Sequence, residues 1–106
     1  MRILFDQGTP APLRHALTDH TVETAFELGW ATLQNGALIA AAEDAGFEVF
    51  VTTDKNLKYQ QNLAARSISI VVLSTTSWPR IQRVLPDVVT AVESAVPAGY
   101  SEVNVK

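Results

Sequence analysis

The chain contains no cysteine. That excludes disulfides, thiolate nucleophiles and zinc–thiolate sites, and it fits a reducing compartment. Positive charge is scarce: eight Lys and Arg stand against eleven Asp and Glu, leaving a net charge of −3. A general nucleic-acid coat needs a basic face, and this composition offers none. No apolar run approaches the length that crosses a bilayer. The opening Met1-Arg2-Ile3-Leu4-Phe5-Asp6 turns acidic too soon for a secretion signal. Internal repeats, linkers and low-complexity runs are also missing. These absences predict a soluble, cytoplasmic protein with no membrane role. What is present is a chain of 106 residues, 47% of them hydrophobic, enough for one domain over residues 1–106 with its own core. Disorder is excluded on the same grounds.

Two apolar runs end at an acid. Arg2-Ile3-Leu4-Phe5 stops at Asp6, and Phe47-Glu48-Val49-Phe50-Val51 stops at Thr52-Thr53-Asp54. Both read as buried strands. Ser67 to Leu73 is the clearest strand and ends at the polar Ser74 to Ser77. Thr21 to Ala25 is a weaker strand, followed by a turn at Glu27-Leu28-Gly29-Trp30.

Helices fall between the strands. Thr9 caps a helix opened by Pro10 and carrying Leu13, Ala16 and Leu17. Asn35 caps a second over Ala37 to Ala45, and Gly46 stops it. A third follows Asp54 through Leu57 and Tyr59 to Leu63 and Ala65. Trp78, Ile81, Leu85, Val88, Val89 and Val92 keep helical spacing, but Pro86 predicts a kink or two abutting helices. Residues 96–106 read as a turn and then an edge strand or a frayed end. The alternation predicts an α/β protein: a three-layer α/β/α sandwich on a mostly parallel sheet of about four or five strands.

In a parallel sheet every strand end points the same way, so Asp6, Glu27 and Asp54 gather at one edge. Hydroxyls at Thr53 and Ser74-Thr75-Thr76 and the Gln7 amide join them. Hard cations such as Mg²⁺ take oxygens of this kind, and the reaction class suggested is metal-assisted phosphodiester hydrolysis. The plainer reading gives Asp54 only a helix-capping role, Asp6 only the amides of its own turn, and Glu27 a solvated position. Lys55, Lys58 and the run Tyr59-Gln60-Gln61-Asn62 could grip a phosphate backbone or a protein partner, although a solvated helix face is slightly favoured. His15 and His20, five residues apart, read as surface residues rather than shared metal ligands. Trp30 and Trp78 read as packing rather than base-stacking platforms. Asp6-Gln7-Gly8-Thr9 has only part of a haloacid-dehalogenase phosphatase motif, and the late lysine of a receiver domain is missing.

The opening Met-Arg-Ile-Leu-Phe-Asp-Gln-Gly-Thr-Pro, Glu27-Leu28-Gly29-Trp30 and Val51-Thr52-Thr53-Asp54-Lys55-Asn56-Leu57 resemble a small PIN-like family, DUF5615, related to VapC-type toxins. The likeness runs over residues 1 to 92. It implies an α/β/α sandwich that binds Mg²⁺ or Mn²⁺ and cuts RNA. Asp6 and Asp54 would be the main metal carboxylates, Glu27 would complete the site or orient a water, and Asn35 would be a neutral ligand. Gln7, Thr53, Lys55, Asn56, Lys58, Tyr59, Gln61 and Asn62 would meet the RNA. A small helix-turn-helix antitoxin and a second copy of the chain, docked through Trp78 and the last helix, are the implied partners. Three departures stand out: Gln7 and Asn35 replace acids common in the family, and no late acid follows, since Asp87 lies far along a helix. The alternative is a catalytically degenerate PIN-fold protein that works by binding RNA or a protein.

Overall fold

The computed structural model describes residues 1–60 and 62–106. Five strands form one sheet: β1 (Arg2–Phe5), β2 (Thr21–Thr24), β3 (Val49–Thr52), β4 (Ser69–Leu73) and β5 (Tyr100–Val103). All four pairings are parallel, in the order β2-β1-β3-β4-β5. Parallel strands need crossovers, and helices supply them on both faces, which is why the inner strands β1, β3 and β4 are mostly apolar and buried while the edge strands β2 and β5 are not.

Alternate side chains feed two cores. Ile3, Phe5, Val49, Val51, Val71 and Leu73 face one way and pack with Leu13, Ile81, Val88 and Val92. Leu4, Phe50, Ile70 and Val72 face the other and pack with Leu38, Ile39, Ala42 and Leu57. Each fully buried side chain of this size contributes about 1.5–3 kcal/mol. The helices on the second face are α1 (Asn35–Asp44) and the short α2 (Leu57–Gln60); on the first lie α3 (Trp78–Gln82), α4 (Leu85–Glu93) and a 3-10 helix over Ala11–Ala16. Three layers result, as the alternation predicts.

Pro86 opens α4 instead of kinking one long helix, so the abutting pair forms. The residues from 96 onward do add an edge strand, which ends at Val103. Other boundaries differ from expectation. Pro10 sits before the first helical position, and neither Thr9 nor Asn35 caps a helix end. The helix expected from Asp54 to Ala65 is instead the four-residue α2 followed by a 3-10 turn at Leu63–Ala65. Among the described residues no helix is long and apolar enough to cross a membrane.

The order also fixes where a ligand can sit. The chain leaves β1 outward to β2, then returns past β1 to β3 and continues to β4 and β5. The reversal opens a crevice between the carboxyl ends of β1 and β3, the place where open α/β sheets bind ligands. Asp6 follows β1, and Thr53-Asp54 follow β3.

Candidate functional site at the carboxyl edge of β1 and β3

Asp6 is 7% exposed and almost fully engaged. Its Oδ1 accepts the amides of Gly8 at 3.1 Å and Thr9 at 3.0 Å. The Thr9 hydroxyl lies 2.7 Å from the same oxygen and 3.0 Å from the Val51 carbonyl, and its one proton serves the better acceptor, the carboxylate. Oδ2 accepts the hydroxyl of Thr52 at 2.5 Å. Thr52 is fully buried and its oxygen also accepts the Asp54 amide at 3.1 Å. One hydroxyl therefore ties the Asp6 carboxylate to the backbone of Asp54.

Asp54 is half-buried and less committed. Oδ1 accepts the Asn56 amide at 2.9 Å, and Oδ2 accepts the Asn35 side-chain amide at 2.5 Å. Thr53 crowds Gly8 from above: a Cβ on Gly8 would stand 2.7 Å from Thr53 Oγ1. A side chain on residue 8 would be accommodated only if the Thr53 hydroxyl moved aside.

Glu27 goes elsewhere. It accepts the Thr24 amide at 2.9 Å and both terminal nitrogens of Arg14. Arg14, and then the Thr24 amide, hold its carboxyl down at about 2. The pair also raises the Arg14 guanidinium. Arg14 Nε is buried and finds no hydrogen-bond partner among the described residues. Asp6, Gln7, Gly8, Arg14, Phe26 and Glu27 line one open cleft of about 530 Å³, which Asp54 does not line.

The three acids expected to converge are therefore divided. Asp6 and Asp54 are joined through Thr52, whereas Glu27 is neutralised by a guanidinium from the 3-10 helix. Among the described residues no group of three His, Asp or Glu side chains is placed to hold a metal ion. A three-carboxylate cage does not fit this structure. A single hydrated Mg²⁺ or Mn²⁺ would ask less of the chain, only one or two carboxylates, because such ions keep several waters. Asp54 has an open lone pair on each oxygen, Asp6 has one on Oδ2, and Asn35 keeps its carbonyl oxygen after donating its amide.

The expected RNA-facing residues are scattered in role. Gln7 donates to the carbonyls of Ala31 at 2.9 Å and Leu33 at 3.3 Å, pinning the loop before α1. Lys58 pairs with Glu102 at 2.8 Å and lies 5.2 Å from the Tyr59 ring centre. Glu102 also accepts the Tyr100 hydroxyl at 2.9 Å; burial, then this bond, pushes that phenol up to about 12. Lys55 lines a smaller cleft with Ser74, Glu102 and Asn104. Asn56, Tyr59 and Asn62 are exposed, and Gln61 lies outside the described residues. His20 is not a free surface residue: it bridges the Met1 amine at 3.2 Å and Glu93 at 3.0 Å. Trp30 packs edge-on against Phe47 at 6.3 Å, and Trp78 packs against the core.

Sequence reasoning missed Arg14 and Phe26. The spacing Thr24-x-x-Glu27 was a usable signal for Glu27, because it is the pattern of a reciprocal cap: the Glu27 amide donates to Thr24 Oγ1 at 3.1 Å. Nothing in the sequence marks Arg14 as its partner.

The chain matches no protein-family model, no curated protein and no solved structure.

Proposed function

We propose that the chain is a PIN-like, divalent-cation-dependent ribonuclease, of the kind that forms the toxin half of a toxin–antitoxin pair. The observation that carries this reading is the Thr52 hydroxyl joining Asp6 to Asp54 at the switch point of the sheet. Asp54 and Asp6 would hold one Mg²⁺ or Mn²⁺, with the Asn35 carbonyl oxygen as a neutral third donor. When bound, the ion supplies positive charge to a phosphodiester and a water of lowered pKa. The chain's own residues prepare the place. Thr52 fixes Asp6, Asn35 fixes Asp54, and Gly8 leaves the approach to Thr53 free of side chain. Glu27 acts here as the partner of Arg14, not as a third ligand.

A second reading is supported by Asp6 itself. Its Oδ1 is saturated by three donors, as in a carboxylate that organises a turn. A PIN-fold protein that binds RNA without cutting it would keep that arrangement.

The test uses structured and single-stranded RNA with Mn²⁺ or with chelator, alongside Asp54→Asn. The ribonuclease reading expects cleavage in Mn²⁺ that chelator and Asp54→Asn both abolish. RNA bound but intact in every tube selects the second reading. Cleavage indifferent to both treatments belongs to a contaminant and counts against the first. RNA neither bound nor cut removes both.

A further inference from the structure

Of the asparagines in the chain, Asn35 alone is followed by glycine. Asn56 and Asn62 precede leucine, and Asn104 precedes valine. The side-chain carbonyl carbon of an asparagine lies within reach of the next residue's backbone nitrogen, and attack by that nitrogen closes a cyclic imide. A side chain on the next residue obstructs the attack, and glycine has none.

The fold leaves the Gly36 nitrogen available. Helix α1 begins at Asn35, so Gly36 is its second residue. The first N–H groups of a helix have no partner within it. The Leu38 amide is the first to bond back, to Gln34 at 2.7 Å, and the Gln34 side chain caps nothing. Among the described residues no other group accepts from the Gly36 amide. Asn35 and Gly36 are both half-buried, so water reaches them.

The Asn35 amide is aimed at one group: its Nδ2 donates to Asp54 Oδ2 at 2.5 Å. Nδ2 is the atom that would leave. The Gly36 nitrogen gives up its proton and bonds to Asn35 Cγ, the Cγ–Nδ2 bond breaks, and ammonia departs. Water then opens the imide at either carbonyl and restores the Gly36 N–H. One water is consumed, one ammonia is released, and nothing is oxidised. Either opening leaves a carboxylate at position 35. The dipole of α1 favours negative charge at its first residue. Beside Asp54, however, the new group replaces a donor with a like charge, and a cation offsets two carboxylates so placed.

We propose that Asn35-Gly36 is a self-deamidation site, and that the carboxylate it generates pairs with Asp54 to strengthen binding of a divalent cation. The modification stands on Asn35, Gly36 and the start of α1 alone. Its effect on cation binding rests on the reading above of Asp54 as a cation ligand. Asn35 must leave Asp54 before it can react, so the conversion is slow and follows the age of the molecule.

The test holds the full chain in mildly alkaline buffer and follows each asparagine by peptide mass mapping. Exchange of NH₂ for OH is expected at Asn35 before Asn56, Asn62 or Asn104, and Gly36→Ala should abolish it over the same period. Calorimetry with Mn²⁺ then compares fresh wild type, Asn35→Asp and Asn35→Ala. Asn35→Asp should bind about tenfold more tightly than wild type, since one more unit charge faces a divalent ion. Asn35→Ala, which frees Asp54 without adding charge, should show no such gain. Asn35 intact after another asparagine has converted overturns the site, as does equal conversion in Gly36→Ala. Asparagines all unchanged in the folded chain, while Asn35 converts in urea, overturn it too. Conversion without tighter Mn²⁺ binding by Asn35→Asp overturns the cation half. In that case a loss of Mn²⁺ binding in Asp54→Asn leaves the cation reading of Asp54 standing, and equal binding by Asp54→Asn and wild type removes that reading as well.

Discussion

Thr52 gives its hydroxyl proton to Asp6 across the gap between β3 and the turn after β1, at 2.5 Å, and the same oxygen receives the Asp54 amide. A hydroxyl can donate and accept at once, and no apolar side chain can do either.

Thr52→Val keeps the shape and the β-branched preference for a strand while removing both bonds. The site is fully buried, so water does not replace them. The expected loss is about 1–3 kcal/mol in urea unfolding, with Thr52→Ser retaining most of the stability. A neutral Thr52→Val would show that the two bonds contribute nothing net.

The two acids should respond differently to the same change. Asp6→Asn puts an amide among four donors and is expected to cost about 1.5–3 kcal/mol of folding stability. Asp54→Asn alters a half-exposed group and should stay within about 0.5 kcal/mol of wild type, while abolishing cation-dependent cleavage. Denaturation of both variants beside a cleavage assay checks the contrast.

Gly8→Ala would set its methyl against Thr53 Oγ1 at 2.7 Å, forcing that hydroxyl to turn. Overpacking of this kind costs about 1–3 kcal/mol. Thr53→Ala removes the obstructing oxygen, so Gly8→Ala should cost less in that background. A double-mutant cycle with no coupling would show that the crowding is relieved by other means.

The Arg14–Glu27 pair predicts an acid-side effect. Arg14, and then the Thr24 amide, hold the Glu27 carboxyl at about 2 against an ordinary 4.5. A depressed acid stabilises the fold above its unfolded value and loses that contribution as pH falls through its folded value. Wild-type Tm should therefore drop more steeply than that of Glu27→Gln as pH falls from 4.5 toward 2. Added salt should narrow the difference, because both partners reach solvent. Parallel curves would remove the pair from the stability of the fold.

The architecture was readable because strand signals and core demands coincide. The runs ending at Asp6 and Thr53-Asp54 are apolar on both faces, as strands covered by helices must be. The helix ends were misread for a reason tied to the site. Thr9 and Asn35 are good capping residues by type, yet Thr9 turns to Asp6 and Asn35 to Asp54. Local rules fail where side chains are drawn sideways into a shared network. Glu27 was placed correctly at the carboxyl edge but lost to Arg14, thirteen residues earlier in the chain. That pairing depends on how the 3-10 helix is set against β2, which no local pattern encodes.

The position of β1 in the interior of the sheet has a consequence for the order in which the protein is made. Its carboxylate leaves the ribosome before the hydroxyl that clasps it, which follows 46 residues later. Until β3 docks, the turn at Asp6 must hold its charge with the Gly8 and Thr9 amides and the Thr9 hydroxyl alone. A fragment released before that point carries Asp6 without its clasp, so the growing chain cannot complete the link from Asp6 through Thr52 to Asp54 before β3 is in place.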